Sequence, residues 1–249
     1  MSLVILMLTS WVPVLLWLIY LYVASNVPGS VSGNAPRLPL DGQVFGHFLQ
    51  TQEVFVFLIT VFAGAGLIAN DLRSGGILMY LSRPLTLRDY LVGKVSALVG
   101  LQLAVTLVPG LLLYAAALAL TPERFAAWNL AWIAPALVLQ SALIAGILSL
   151  LALAVSSIAR SPRLAGLIFF GVLAVTDVLA AGLGLVLGHS WPALISVRAL
   201  LWQVDRALFG ITESAPTLHW GIALAELAAL AAGSLYVLRA RIRAVEIVR

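Results

Sequence analysis

Long apolar stretches separated by short polar ones dominate the chain. Crossing about 30 Å of hydrocarbon takes roughly 20 apolar residues as a helix. Backbone groups in lipid must bond within their own segment, which makes helices the default. Six stretches qualify: Leu3–Ala24, Glu53–Ala69, Tyr90–Leu120, Leu130–Ile158, Leu164–Gly188 and His219–Leu238. The second is short and glycine-rich (FAGAGLIAN), while the third and fourth are long enough to tilt or to run past the lipid. Between the fifth and sixth, Leu194, Val197, Leu201, Val204 and Leu208 recur at helical spacing, with Arg198, Asp205 and Arg206 off that stripe. That pattern predicts an amphipathic helix within Trp191–Phe209, lying on the outer face or folded back into it. Packing on the bundle and a gate-like role both fit such a helix. SNVPGSVSGNAPRLPLDGQ, rich in Pro, Gly and Ser, reads as an irregular surface loop. No internal repeat stands out, which gives an inverted-repeat transporter little support.

Composition agrees with the pattern. Hydrophobic residues make up 62% and charged residues 10% of the 249 positions, whereas a soluble domain is nearer a quarter charged. A bilayer is therefore the natural solvent for most side chains, and the expectation is an all-α membrane protein with one transmembrane domain over residues 1–249. The absence of cysteine removes disulfides, thiol nucleophiles and cysteine metal sites. The first span begins almost at Met1, lacks a basic flank and is too long for a signal peptide's apolar region.

Charge then sets the expected orientation. Arg73, Arg83, Arg88, Lys94, Arg160, Arg163, Arg239, Arg241, Arg243 and Arg249 fall on one side, against Arg37, Arg124, Arg198 and Arg206 on the other. The positive-inside rule places the first set in the cytoplasm, and with it both termini, as in a multi-pass protein of a bacterial-type plasma (inner) membrane. Trp11, Trp17, Trp128, Trp132, Trp191 and Trp220 lie near span ends or in loops, as an interfacial aromatic belt does. The tail RARIRAVEIVR continues a span, so anionic lipid headgroups rather than nucleic acid are its expected partner.

The most polar interruption is DLRSGGILMYLSRPLTLRDYLVGK, Asp71–Lys94. Asp71 suits the cap of a short helix after the second span. Ile77, Leu78 and Leu81 make one small apolar face, Gly75 and Gly76 weaken a free helix, and Pro84 ends it. Arg88 and Lys94 then open the third span at headgroup level. A docking knob and a turn that only links two spans both fit. The run resembles the segment between the second and third spans of type-2 ABC exporter permeases. The matching positions are Asp71 (usually Glu in that family), Gly76, Ile77, Leu78, Leu81, Pro84, Arg88, Leu91, Gly93 and Lys94. Family members usually begin with an amphipathic cytoplasmic helix, whereas this sequence opens MSLVILML. The resemblance implies a cytoplasmic coupling helix docking into a separate ATPase subunit, two copies of which carry the ATP and Mg. It also implies a second permease, identical or related.

No phosphate-cradling G-x-x-x-x-G-K-[ST] occurs, since Gly93–Lys94 is followed by Val95 and the first glycine position is Arg88. The chain is thus expected to be no enzyme and to bind neither cofactor nor metal. His47, His189 and His219 fall on one side but far apart in sequence and without companion ligands. Asp177 and Glu226 lie inside apolar spans, about 16 Å and about 10 Å from the nearer span end at 1.5 Å per residue. A charge at the bilayer centre costs at least about 2.5–3.5 kcal/mol, so both should face the bundle or water. With Gln102 and Gln140 they form a candidate polar layer, either a substrate path or a set of bonds locking helices together. A rival reading is an ion-coupled secondary transporter built on Asp177 and Glu226.

Overall fold

The computed structural model describes residues 2–26, 42–74, 76, 87–120, 130–211 and 218–247. Among these residues all regular secondary structure is helical, and six helices are long and apolar enough to cross a membrane. The first span comprises α1 (Ser2–Thr9) and α2 (Trp11–Asn26). Pro13 lacks the N–H that would continue the ladder to Thr9, and the break falls at Ser10. There the Ser10 hydroxyl donates to the Met7 carbonyl at 2.6 Å, and the Ser10 carbonyl accepts from Gln52 at 3.1 Å.

The second span is longer than expected. It starts at Gly42, not Glu53, and runs to Ser74 as α3 (Gly42–Ile59), a π-helical turn (Thr60–Gly64) and α4 (Leu67–Ser74). Gln43, His47, Gln50, Thr51 and Gln52 hid its first part, because their polarity lowers the local apolar signal. Tertiary contacts absorb several of them: the His47 ring packs 5.6 Å from Trp202, and Gln52 bonds to α1's end. Gly42 lets the chain approach closely, since a Cβ there would meet the Phe209 carbonyl at 2.5 Å. The Pro/Gly/Ser-rich loop is correspondingly shorter: its first residues belong to α2 and its last two to α3, and residues 27–41 lie outside the described set.

The remaining spans follow the apolar runs. They are α5 (Leu87–Leu120), α6 (Ile133–Ile158), α7 (Pro162–Leu187) and α9 (Trp220–Ile247). Ser161 caps α7, its Oγ accepting from the Leu164 N–H at 3.3 Å, with Pro162 at the first helical position. Gly188 and Gly210, at φ 63° and 65°, stop α7 and the next helix in a left-handed conformation that favours glycine. The basic tail continues α9 to Ile247, as the sequence pattern suggested.

After α7 the chain turns back. A 3-10 segment (Trp191–Ile195) packs along α7, and α8 (Val197–Phe209) starts beside Asp177. Asp177 is ten residues before α7's end, so α8 begins about 15 Å inside the bundle. The helix predicted within Trp191–Phe209 is therefore folded into the bundle, wedged against α3, α6, α7 and α9. Asp205 and Arg206 are buried, not on a solvated face.

The core has two main parts. Leu98, Ile144, Leu148, Phe169, Leu200 and Leu227 gather α5 to α9 around α6, the most buried span. Leu21, Phe45, Phe48, Leu113, Leu137 and Phe209 tie α2 and α3 to the other end of α5, α6 and α8. The outward faces of α2 and α7 stay apolar, with Leu15, Leu16 and Ile19 on one and Leu167, Val175 and Val178 on the other exposed. In water such faces would drive association; in a bilayer they meet lipid tails or another helix.

Candidate functional site

The break in the second span is held by side chains from its neighbours. A π-turn and a restart leave backbone groups without helical partners. Ser156 of α6 accepts from the N–H groups of Ile68 and Ala69 at 3.1 and 2.9 Å, which caps α4 from outside. About two helical turns away, Gln102 of α5 donates to Thr60 Oγ1 at 2.6 Å, and Thr60 donates to the Val56 carbonyl at 2.6 Å. Ser149 of α6 donates to Gln102 Oε1 at 3.1 Å. Gln102 thus sits in a closed network joining the second, third and fourth spans.

Beyond the break, α4 carries Asp71. It does not cap a helix as expected: α4 already begins at Leu67, and Asp71 lies within it. Its Oδ2 instead accepts from Tyr90 OH at 2.7 Å and pairs with Lys94 Nζ at 2.9 Å. Lys94 also lies 5.6 Å above the Tyr90 ring. The end of the second span and the start of the third are therefore clamped on both sides of the intervening segment. Arg73 and Arg88 are exposed, Gly76 lies close to α4's end, and a Cβ at Gly93 would meet nothing. Ile77, Leu78, Leu81 and Pro84 lie outside the described residues.

A second polar cluster surrounds α8. Ser196 caps α8 through the Ala199 N–H at 3.0 Å and donates its own proton to Asp177. Gln140 of α6 donates to the Leu201 carbonyl at 3.2 Å. A cavity of about 260 Å³ opens here between α3, α6, α7 and α8. Glu53, Asp177 and Arg198 supply its polar lining, and Phe57, Leu148 and Leu173 part of its apolar wall. Arg198 Nε stands 3.9 Å from Glu53 Oε2, with side chains 54% and 5% exposed, so the cation guards the mouth and the acid lies inside. Asp205 is fully buried behind them. It lies on α8, outside the six spans. Burial, then the neighbouring Glu53, push its carboxyl well above the ordinary carboxylate range, while the Gln140 amide pulls the other way.

The four polar residues expected to form one layer thus divide three ways. Gln140 and Asp177 both reach the α8 hairpin, Gln102 belongs to the Thr60 network, and Glu226 lines a separate shallow groove between α6 and α9 with Ala154, Gly233 and Ser234.

A sequence model described as ABC-2 family transporter protein matches residues 4–231. The chain belongs to the ABC-2 transporter family. No curated protein matches it. This ABC-2 protein is accordingly a multi-pass membrane protein of the ABC transporter permease type.

Sequence reasoning about the ABC-2 protein missed Glu53 and Asp205. The apolar runs alone put Glu53 at a span boundary and Asp205 on a polar face. A four-residue ladder finds both: Phe45, Leu49, Glu53 and Phe57 share one row of α3, and Val197, Leu201, Asp205 and Phe209 share one row of α8. An acid inside an otherwise apolar i, i+4 row points where the row points. In the ABC-2 protein His219 stacks on Trp220 with ring centroids 5.5 Å apart, and the His47 ring lies tilted against Trp202.

Proposed function

We propose that this chain is the membrane-spanning permease subunit of an ATP-driven ABC exporter. It couples ATP hydrolysis on a separate ATPase, present in two copies that carry ATP and Mg, to substrate movement across a bacterial-type inner membrane. Both termini and the Asp71–Pro84 segment face the cytoplasm, and a second permease, identical or related, completes the path. The chain itself performs no covalent chemistry and binds no cofactor; its surroundings are lipid, not nucleic acid.

The observation that carries this reading is the family match over most of the chain, and the geometry is consistent with the mechanics. Ile77, Leu78, Leu81 and Pro84 dock into the ATPase, with Arg73 at the rim. Asp71 is committed to Tyr90 and Lys94, so it transmits force rather than contacting the partner. A push on the segment then reaches α4 and α5 together. From α4 it passes through Ser156 to α6, and from α5 through Gln102 to the π-turn. The acids of an ion-coupled carrier, Asp177 and Glu226, line different recesses and do not make a common site.

Leu78→Asp tests the docking. Gentle extraction of the tagged wild type should bring down an ATP-hydrolysing subunit in near-equal amount. The variant should lose it while remaining inserted in the membrane. Undiminished co-purification would sink the docking assignment, and a wild type that purifies alone would sink the permease reading.

A further inference from the structure

Every buried side-chain nitrogen or oxygen without a partner among the described residues lies on α3, α6 or α8. They are Gln52 Oε1, Glu53 Oε1, Gln140 Oε1, Ser141 Oγ and both carboxyl oxygens of Asp205. These elements pack on one another. All but the Ser141 hydroxyl are pure acceptors when the acids are ionised. Each unmet buried acceptor costs about 1–3 kcal/mol, more when charged, so the region is short of donors.

Most neighbouring donors are already committed. Gln140 Nε2 gives one of its two N–H groups to Leu201 and keeps one for the Asp205 side, Gln52 Nε2 bonds to Ser10, and Arg198 leans on the other oxygen of Glu53 from the cavity mouth. On α7, Asp177 takes the Ser196 proton. Beside Asp205 on α8, Arg206 reaches neither of its oxygens. From α9, the core-facing residues are Ala223 and Leu227, which carry no charge. A metal ion fits poorly: among the described residues no three His, Asp or Glu side chains converge. The carbonyls of α3 and α6 are used within unbroken helices. One proton, in contrast, turns an acceptor into a donor and removes a charge in the same step.

We infer that Glu53 and Asp205 hold one bound proton between them, so that the seam between α3 and α8 is a proton-binding site lined by Gln140 and Ser141. Neither the family match nor the coupling segment enters this inference. When the proton leaves, Glu53 and Asp205 are both charged, Asp177 adds a third acid on the same cavity, Arg198 is the one cation lining it among the described residues, and α8 is driven away from α3. The proton therefore acts as a latch on the folded-back helix.

The test uses full-length protein in lipid nanodiscs and infrared spectroscopy at neutral pH. The wild type should show the carbonyl stretch of a protonated carboxylic acid, shifted in heavy water. Glu53→Gln and Asp205→Asn should each shift or remove the band, and the double variant should lack it. Glu226→Gln should leave it untouched. Absence of the band in the wild type, or an unshifted band in the double variant, overturns the inference. Loss of the wild-type band on adding sodium at constant pH also overturns it, by making the seam an alkali-cation site. If Asp205→Asn does not yield monodisperse protein, Glu53→Gln and the wild-type isotope shift decide the matter.

Discussion

The Thr60–Gln102–Ser149 network and the Glu53–Asp205 seam lie about two helical turns apart along the second span, and they treat buried polarity in opposite ways. In the network each side-chain nitrogen and oxygen has a partner, and Ser156 extends the same provision to the backbone of α4. In the seam acceptors outnumber donors, and oxygens stay unpaired on three elements. A satisfied buried network fixes one arrangement, whereas an unsatisfied one is at ease only when something else binds. The contrast separates a joint that holds one arrangement from a poised contact, which can open. The joint lies between the segment proposed to meet an ATPase and the seam, the order that the proposed passage of a push requires.

Ser156→Ala should break the joint most severely. It strips the acceptor from two backbone N–H groups, and an expected loss of about 2–4 kcal/mol would appear as a lower midpoint in thermal unfolding in nanodiscs. A midpoint equal to wild type would mean that α4 restarts without outside help. Gln102→Leu should cost less, about 1–3 kcal/mol, because Thr60 keeps its bond to Val56 and Ser149 can turn to its own helix. Within the seam Asp205→Asn should do little at low pH, since the amide is a neutral donor of nearly the same shape as the protonated acid.

The seam should instead show itself through pH. The raised folded-state position of the Asp205 carboxyl means the native protein keeps that proton after the unfolded chain has released it. The stability this contributes is complete below the ordinary aspartate value, near 3.8, and is lost as pH climbs toward the raised one. Wild-type thermal midpoints should therefore fall with rising pH more than those of Asp205→Asn. Parallel curves for the two proteins would show that the seam does not titrate with folding.

Much of the fold was legible in advance. Apolar runs located all six spans, the fifth with its end near Gly188, and the Asp71–Lys94 segment carried the resemblance to the family that the chain belongs to. The candidate sites were legible only in part. Gln102, Gln140 and Asp177 stood out as polar residues in apolar surroundings, but their partners lie on other helices. The first eleven residues of the second span were hidden by polar side chains that tertiary contacts accommodate, His47 against Trp202 and Gln52 against Ser10.

The sequence by itself determined which stretches enter the membrane, because transfer from water to lipid sums over neighbouring residues and needs no knowledge of the fold. It also determined where helices stop, because Ser, Pro and Gly act on their own backbone. Only the tertiary structure decided that α8 folds back beside Asp177, that Ser156 accepts from a backbone N–H, that of Ala69, 87 residues before it in the chain, and that Glu53 and Asp205 share a donor-poor seam. Those outcomes depend on which faces of distant helices meet, and hydrogen-bond complementarity between such faces is a property of pairs that no local sum contains.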